Sequence, residues 1–212
     1  MFEFVIRTRL NRVSEKIKAF VALNSAMAAT EFAIILPVML VCYLGTVEVG
    51  SGITVDRKLA NLSLTLSNLT ARATGALADT DVNGIFNASA AVLSPFNSNN
   101  AGMVVTSFVF DSATPPNAHV VWSNATGNGV SAMTPSCTIN ISSTIVPNSL
   151  RTANGSIIMA QARYPYTPAI GYVITGTVNL LETNFMVPRN LTSVPRTTGG
   201  TTYSTCTNGV LS

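Results

Sequence analysis

Charged side chains are scarce in this chain of 212 residues. Only 10% of the residues are Asp, Glu, Lys or Arg, against about 25% in an ordinary soluble domain. The net charge of +3 arises mainly near the N-terminus, so the sequence predicts no basic face that would suit nucleic acid. Asn, Ser, Thr, Gly and Ala make up much of the sequence after Asp56. This composition suits an exported domain that amides and hydroxyls keep soluble.

Groups that carry chemistry are also few. His119 is the single histidine, and the three cysteines are far apart in the sequence, so a clustered metal site is not predicted. We find no glycine-rich phosphate-binding loop and no nucleophile elbow, although Asp111 and many serines accompany His119. We therefore predict a protein that is not an enzyme and has no cofactor. The alternative, a periplasmic enzyme on a membrane anchor, lacks a recognisable catalytic set.

One long apolar run interrupts the polar composition. Glu31 is the only charged residue between Ala26 and Val47, and a helix of that length spans about 33 Å, enough to cross a bilayer core. The charged residues before the run are Arg7, Arg9, Arg12, Lys16 and Lys18, with Glu3 and Glu15. The positive-inside rule therefore places the N-terminus in the cytoplasm and the chain after about Gly52 outside.

A cleaved secretory signal is the alternative interpretation of this run. Such a signal has a shorter apolar core, followed by a small-residue cleavage site, whereas the small residues "NSAMAA" precede this run. Pro37 removes one hydrogen bond within the span, which membrane helices tolerate. Glu48 is expected at the outer edge, where it marks the end of the span and reaches interfacial water.

An apolar stripe continues beyond the span. It comprises Val55, Leu59, Leu62, Leu66, Leu69 and Ala73. These spacings of four and three predict that the helix extends past the membrane. The residues expected on its opposite faces are Asn61, Ser63, Thr65, Ser67 and Asn68. Two uses of the stripe remain open: lateral packing in a filament core, or packing of an amphipathic helix on its own sheet.

The remaining sequence predicts an α+β fold with a small, mainly antiparallel sheet. A second helix capped by Asp79 or Thr80 is expected to run to Leu93. Strands are expected in "MVVTSFVF" and "AHVVWSN", paired around a Pro-Pro turn, then in "GSIIMAQARYPYTP" and at Leu180 to Val187. The predicted organisation is a basic leader (1–26), a transmembrane helix (27–50), a helix extension (51–77), an extracytoplasmic α+β domain (78–192) and a Thr/Gly-rich tail (193–212).

The three cysteines separate by context. Cys42 lies inside the apolar run and is interpreted as an inert thiol. Cys137 and Cys206 lie in the polar remainder, and in an oxidising compartment they would most simply pair. The pair would tie the tail, otherwise expected to be poorly ordered, to the body of the domain. The alternative is two free thiols in a reducing compartment.

The stretch "ATEFAIILPVMLVCYLGTVEVG" resembles the N-terminal segment of the TadE and TadG group of pseudopilins. The residues that carry the resemblance are Ala28, Ala29, Glu31, Phe32, Leu36, Pro37, Gly45 and Glu48. "AQARYPYTP" and "FMVPRN" resemble later segments of the same proteins. TadG proteins are usually longer, so the chain looks most like TadE or TadF. These are components of the tight-adherence (Tad, or Flp) type IV pilus system of bacteria.

The resemblance implies proteolytic processing. A prepilin peptidase cuts such precursors on the cytoplasmic side of the span, and the family's glutamate is the fifth residue after the cut. Counting back from Glu31 places the cut between Ala26 and Met27 and would remove the basic leader. The chain departs from the family here, because the usual residue before the cut is Gly. An uncleaved relative would keep the leader as a cytoplasmic stub.

The resemblance also implies a role and partners. Glu31 would neutralise the new ammonium at Met27, either its own or that of a neighbouring subunit, since an isolated charge in the membrane is costly. The implied function is that of a minor pilin or pseudopilin in the bacterial inner membrane, with its C-terminal domain periplasmic and possible incorporation into the pilus. Its partners would be the major pilin, other pseudopilins, the prepilin peptidase and the inner-membrane assembly platform. The alternative is a bitopic envelope-binding protein without a filament role.

Overall fold

The structure, a computed structural model, describes residues 15–16, 18–19, 24–168, 171, 175–207 and 209–211. Most of the basic leader therefore lies outside the described residues. Chain contacts divide the molecule into two units. The first comprises Met1–Gly50 with Ala169–Thr175, and the second, which we call the head, comprises Ser51–Pro168 with Gly176–Ser212. Helix α1 (Asn24–Ala71) contributes its first part to one unit and residues 51–71 to the other.

Within the first unit, residues 27–50 of α1 form what we call the apolar segment. Thr30 and Thr46 donate their hydroxyls to the carbonyls of Met27 and Cys42, at 2.8 and 2.9 Å, so both polar groups are satisfied within the helix. Pro37 lies inside the helix, as the sequence predicts. Helix α1 is long and apolar enough to cross a membrane.

The head contains a four-stranded antiparallel sheet in the order β2-β1-β3-β4. Its strands are β1 (Gly102–Phe110), β2 (Ala118–Gly127), β3 (Ser156–Tyr166) and β4 (Val178–Met186). Each predicted strand is present, and β1 and β2 pair around the Pro-Pro turn as expected. The α+β prediction, a long N-terminal helix followed by a small antiparallel sheet, is confirmed.

One face of this sheet packs against α1. Val55, Leu59, Leu62 and Leu66 of the helix are fully buried, in one core with Val105 and other residues of β1 to β3. Gly52 makes room for Tyr166, whose ring carbon Cε1 would lie 3.3 Å from any added Cβ. The stripe from Val55 to Leu66 is thus buried inside the head. Of the two uses left open by the sequence, residues 55–66 follow the second, an amphipathic helix on its own sheet.

The hydroxyl residues beside the stripe differ from expectation. Ser63, Ser67 and Thr70 are 0–2% exposed, whereas Ser63 and Ser67 were predicted on the opposite faces. The Ser63 and Thr70 hydroxyls donate to carbonyls three or four residues earlier in the helix, at 2.9 and 2.8 Å. This local bonding satisfies a hydroxyl without water, so these short side chains can be buried and let the helix lie close to the sheet.

The opposite face of the sheet is covered by an irregular segment, residues 128–155, which we call the covering loop. Val146 of this loop is fully buried with Phe108 and Phe110 of β1, and Met133 and Ile141 pack against the same cluster. Strand β1 is consequently buried along its whole length. The head therefore has three layers: helix, sheet and covering loop.

A second helix, α2 (Asp79–Ala90), continues into a 3-10 turn at Ala91–Leu93. Its N-cap is Ala78, not Asp79 or Thr80 as predicted, because the Asp81 carboxylate accepts the Ala78 N–H at 2.8 Å. A carboxylate in the first turn is favourable for a helix N-terminus. Val82, Phe86 and Leu93 are buried.

The end of the chain folds into two small hairpins. They consist of β5 (Arg196–Thr198) with β6 (Thr201–Tyr203), and β7 (Cys206–Thr207) with β8 (Val210–Leu211). Gly199 and Gly200 both have positive φ in the turn between β5 and β6. Val194 and Arg196 are buried, so this Thr/Gly-rich region forms part of the head.

Candidate functional site

The apolar segment presents large hydrophobic side chains on all sides. Ile34 is 74% exposed, Tyr43 68% and Phe32 60%. The most apolar window of α1 is only 6% buried, which excludes the core helix of a soluble domain as an explanation. A helix that is apolar all round requires a surrounding that is itself apolar, such as lipid or other helices.

Met27 and Glu31 are one turn apart on this segment. Both are exposed, and positions i and i+4 lie on the same helix face with a rise of about 6 Å. Side chains of a helix tilt towards its N-terminus, so the Glu31 carboxylate extends towards Met27. The peptide bond between Ala26 and Met27 lies within α1. The two residues therefore share one helix face at the N-terminal end of the apolar segment.

Glu48, at the other end of the apolar segment, is only 3% exposed. The sequence predicted that it would reach interfacial water, and that expectation was wrong. Protein atoms and not solvent therefore surround this side chain. Cys42 is exposed on the same segment.

Cys137 of the covering loop and Cys206 of the tail form a disulfide, with their Cα atoms 5.5 Å apart. The neighbouring Ser136 donates its N–H to the Val120 carbonyl at 2.9 Å, which fixes the loop against the edge of β2. The bond closes a loop with a sequence separation of 69. In the chain-entropy description, a loop of that length stabilises a fold by about 4 kcal/mol.

Arg196 is a buried residue that sequence reasoning did not identify. Its side chain is 3% exposed, and its ion-pair partner Asp79 lies at the start of α2. The guanidinium also donates to the Leu77 carbonyl at 2.9 Å, to the Thr197 carbonyl at 2.7 Å and to Asn124 Oδ1 at 3.1 Å. The one feature of the sequence that could have indicated its buried role is that Arg196 is a lone arginine in a tail otherwise rich in Thr and Gly.

Arg151 has a similar role in the covering loop. Its guanidinium donates to the carbonyls of Ile141 at 2.6 Å and Val146 at 2.9 Å, and to that of Pro116 at 3.3 Å. It also reaches Asn140 Oδ1 at 3.2 Å. Five N–H donors in a planar fork suit such convergent carbonyls. Arginine thus holds together a segment that has little regular secondary structure.

Asp111 and His119 lie close together, with Asp111 Oδ2 3.7 Å from His119 Nε2. The carboxylate accepts N–H groups from Ala113 and Asn117, at 3.1 and 2.7 Å, and the Asn117 side-chain amide at 2.7 Å. Burial raises the pKa of the Asp111 carboxyl, but the hydrogen bonds from Asn117 and Ala113 outweigh burial and hold the pKa below its ordinary value of 3.8. Asp111 therefore organises the turn between β1 and β2. Among the described residues, no group of three His, Cys, Asp or Glu lies together as a metal site.

The fold thus defines a class: a protein with a long apolar N-terminal helix and a small α+β head. Residues 26–64 match the family model described as TadE-like protein, and the matched residues all lie in α1. Over this segment, the chain is similar to TadE-like proteins of Tad pilus systems. No curated protein and no solved structure matches the chain.

The family match and the apolar helix support general conclusions about location and function. Both indicate membrane anchoring. The match suggests involvement in a Tad pilus system and partners among pilus components, and the TadE-like family is not known as enzymatic.

Proposed function

We propose that this protein is a minor pilin or pseudopilin that takes part in assembling a Tad-type type IV pilus for surface adherence. The observation that carries the proposal is the apolar segment, which exposes large side chains on all sides and bears an exposed carboxylate, Glu31, at its N-terminal end. An assembly of like helices in a membrane gives both features a use. The apolar surface packs against lipid and then against neighbouring helices, and the carboxylate finds a positive partner.

The proposed orientation is that of a single-pass protein of the inner membrane. The basic residues of the leader stay in the cytoplasm, and the head lies in the periplasm. Export to that oxidising compartment agrees with the disulfide between Cys137 and Cys206, because such bonds persist outside the cytosol.

Processing by a prepilin peptidase between Ala26 and Met27 is the next step of the proposal. The segment that matches the family begins at Ala26, next to this bond, which supports the position. The bond lies within α1, so the peptidase must first unwind the helix locally to reach it. Cleavage would leave Met27 as the first residue and place Glu31 in the first turn of the new helix.

Glu31 then supplies the charge that the new N-terminus requires. A charge near the centre of a bilayer costs about 2.5–3.5 kcal/mol on insertion scales, and a carboxylate one turn from an ammonium offsets much of that cost. A neighbouring subunit's ammonium can take the same position when helices pack side by side. Pairing between subunits would favour one register, and partners would be the major pilin, other pseudopilins and the assembly platform.

Lateral packing is assigned to residues 27–50 alone. The sequence had also offered Val55 to Ala73 for contacts between subunits, but Val55, Leu59, Leu62 and Leu66 are fully buried in the head. These four residues have no apolar surface left for a neighbour. The head is therefore carried by the helix and does not contribute this face to a filament core.

The intact mass of the protein from its native host, with and without the prepilin peptidase, tests this function. We expect loss of residues 1–26 only when the peptidase is present. The variant Ala26→Phe should block the loss, whereas Ala22→Phe, four residues earlier, serves as the matched control and should be processed normally. A chain that keeps Met1 in both strains contradicts the proposal and favours the bitopic envelope protein. A cut after the apolar segment favours a secretory signal.

A further inference from the structure

A polar cleft lies in the head beside Asp111 and His119. It has a volume of about 620 Å³ and is bounded by the ends of β1 and β2, by residues 154–156 and by tail residues 191–193 and 204–206. Ligand sites in proteins commonly have volumes of about 300–1,000 Å³. The cleft is therefore large enough for a small ligand, and neither the membrane helix nor the α1 stripe has a part in it.

Two hydrogen-bond acceptors face each other in this cleft. His119 Nδ1 lies 3.1 Å from the Ile139 carbonyl, and because a carbonyl only accepts, Nδ1 carries the proton. In the neutral ring Nε2 is then an acceptor. It stands 3.7 Å from Asp111 Oδ2, which is also an acceptor and too distant for a direct hydrogen bond. A donor placed between the neutral ring and the carboxylate can bond to both acceptors.

Both acceptors are held in place before any ligand arrives. The Asp111 carboxylate is fixed by the N–H groups of Ala113 and Asn117 and by the Asn117 amide. The His119 ring is fixed by Ile139 and is only 11% exposed. Cys206, which also lines the cleft, is tied to Cys137 by the disulfide. Groups that are already ordered lose little entropy on binding.

The lining defines the chemistry of the ligand. Asp111 is the only permanently charged residue that lines the cleft in the described part of the chain, with no Lys or Arg. An anion would therefore meet a carboxylate without a counter-charge. Hydroxyl residues such as Ser112 and Thr192 alternate with apolar Val109 and Leu191, a mixture that matches the hydroxyls and C–H faces of a sugar.

We propose that this cleft binds a neutral oligosaccharide, one hydroxyl of which donates to the His119 Nε2 and Asp111 Oδ2 pair. Hydrogen bonds to an ionised acceptor are shorter and stronger than neutral ones, so this hydroxyl anchors the sugar. The neighbouring hydroxyl groups of the cleft bind the remaining sugar hydroxyls. The site is independent of helix packing and of leader cleavage.

His119 offers a direct readout, because it is the single histidine of the chain. The full-length protein is labelled with ¹⁵N-histidine, freed of any histidine tag and kept in a detergent without a sugar headgroup. Maltotriose, cellotriose and triacetylchitotriose are the neutral probes, and 3′-sialyllactose is the anionic probe. We expect at least one neutral trisaccharide to shift the His119 ring signals saturably at millimolar concentration, and the anionic probe to leave them unchanged.

Two variants test the cleft itself. Ser112→Trp, which fills the cleft from an exposed position, should abolish the shift. His119→Phe should weaken binding measured by calorimetry by up to about tenfold, the effect of a lost hydrogen bond to a neutral acceptor. Asn61→Ala, on the exposed side of α1, is the control and should bind normally. No saturable shift with any neutral probe, equal binding by Ser112→Trp, or preference for the anionic probe would each overturn the proposal.

Discussion

Arg196 and Asp79 form an ion pair that joins the tail to the first turn of α2, across a sequence separation of 117. The two partners are buried to very different degrees, since the Arg196 side chain is 3% exposed and that of Asp79 is 63% exposed. Solvent therefore reaches the ion pair from the side of Asp79. The energetic weight of the contact lies in the carbonyls that the guanidinium satisfies.

The first prediction separates these two contributions. Arg196→Met leaves the Thr197 carbonyl and Asn124 Oδ1 without the guanidinium, whereas the Leu77 carbonyl keeps the Thr197 N–H. The lost hydrogen bonds should lower the free energy of unfolding by about 2–3 kcal/mol. Asp79→Asn removes only a half-solvated charge and should cost less than about 1 kcal/mol. Trp122, the single tryptophan, is buried and donates to the Val194 carbonyl at 2.7 Å, so its fluorescence reports unfolding of this region in urea. Equal losses in both variants would contradict the assignment.

The second prediction concerns pH. Because the pKa of Asp111 is lowered in the folded protein, its carboxylate stabilises the fold above its unfolded pKa, and this contribution disappears as pH falls through the folded pKa. We expect Asp111→Asn to be less stable than the unchanged protein at neutral pH, and the difference to shrink below pH 3.8. Urea unfolding at several pH values measures it, with Glu182→Gln on β4 as the control for loss of a carboxylate. A gap that persists at low pH would count against the hydrogen-bonded carboxylate as its source.

The third prediction concerns the disulfide. Replacing both Cys137 and Cys206 by Ser should lower stability by up to about 4 kcal/mol, the loop-closure term for a separation of this size. Cys42→Ser, on the exposed apolar segment, should leave stability unchanged and serves as the control. Thiol titration of the unfolded protein should find one free thiol before reduction and three afterwards. Three thiols without reduction would mean that the bond does not form in the host.

The fourth prediction addresses the membrane carboxylate. Glu31→Gln should insert and fold normally but reduce the number of surface pili about tenfold or more, because 1.4 kcal/mol already changes an equilibrium tenfold and the lost pairing is expected to exceed that. Glu15→Gln, in the leader, is the matched control and should support normal piliation. Counting sheared pili and blotting the membrane fraction measure the two effects. Normal piliation with Glu31→Gln would remove the role that we propose for this residue.

Periodicity made much of the fold predictable. The spacing of Val55, Leu59, Leu62 and Leu66 predicted a continued helix, and runs rich in β-branched and aromatic residues predicted strands β1 and β2. These sequence patterns are local, and they indicate directly which apolar side chains of the helix and strands are buried. The burial of Ser63 and Ser67 could not be predicted in the same way, because a short hydroxyl that bonds back to its own helix becomes compatible with a core only when a sheet lies against it.

In the candidate site, too, local features could be predicted from the sequence and contacts between distant segments could not. Met27 and Glu31 could be placed on one helix face from spacing alone. The contacts of Arg151 and Arg196 depend on carbonyls from several separate segments, and no sequence interval brings those carbonyls together. The pairing of His119 Nδ1 with the Ile139 carbonyl, 20 residues away, likewise depends on the path of a loop without repetitive structure.

Leu77 bonds through its N–H to the Pro195 carbonyl and through its own carbonyl to the Thr197 N–H, both at 2.9 Å. Leu77 thus waits for the segment around Arg196, which follows 119 positions later and also bonds to its carbonyl. At synthesis rates of about 5–20 residues per second, that interval lasts roughly 6–24 s. During this time the contacts of the buried Arg196 cannot form, so the head is incomplete until its tail has been made.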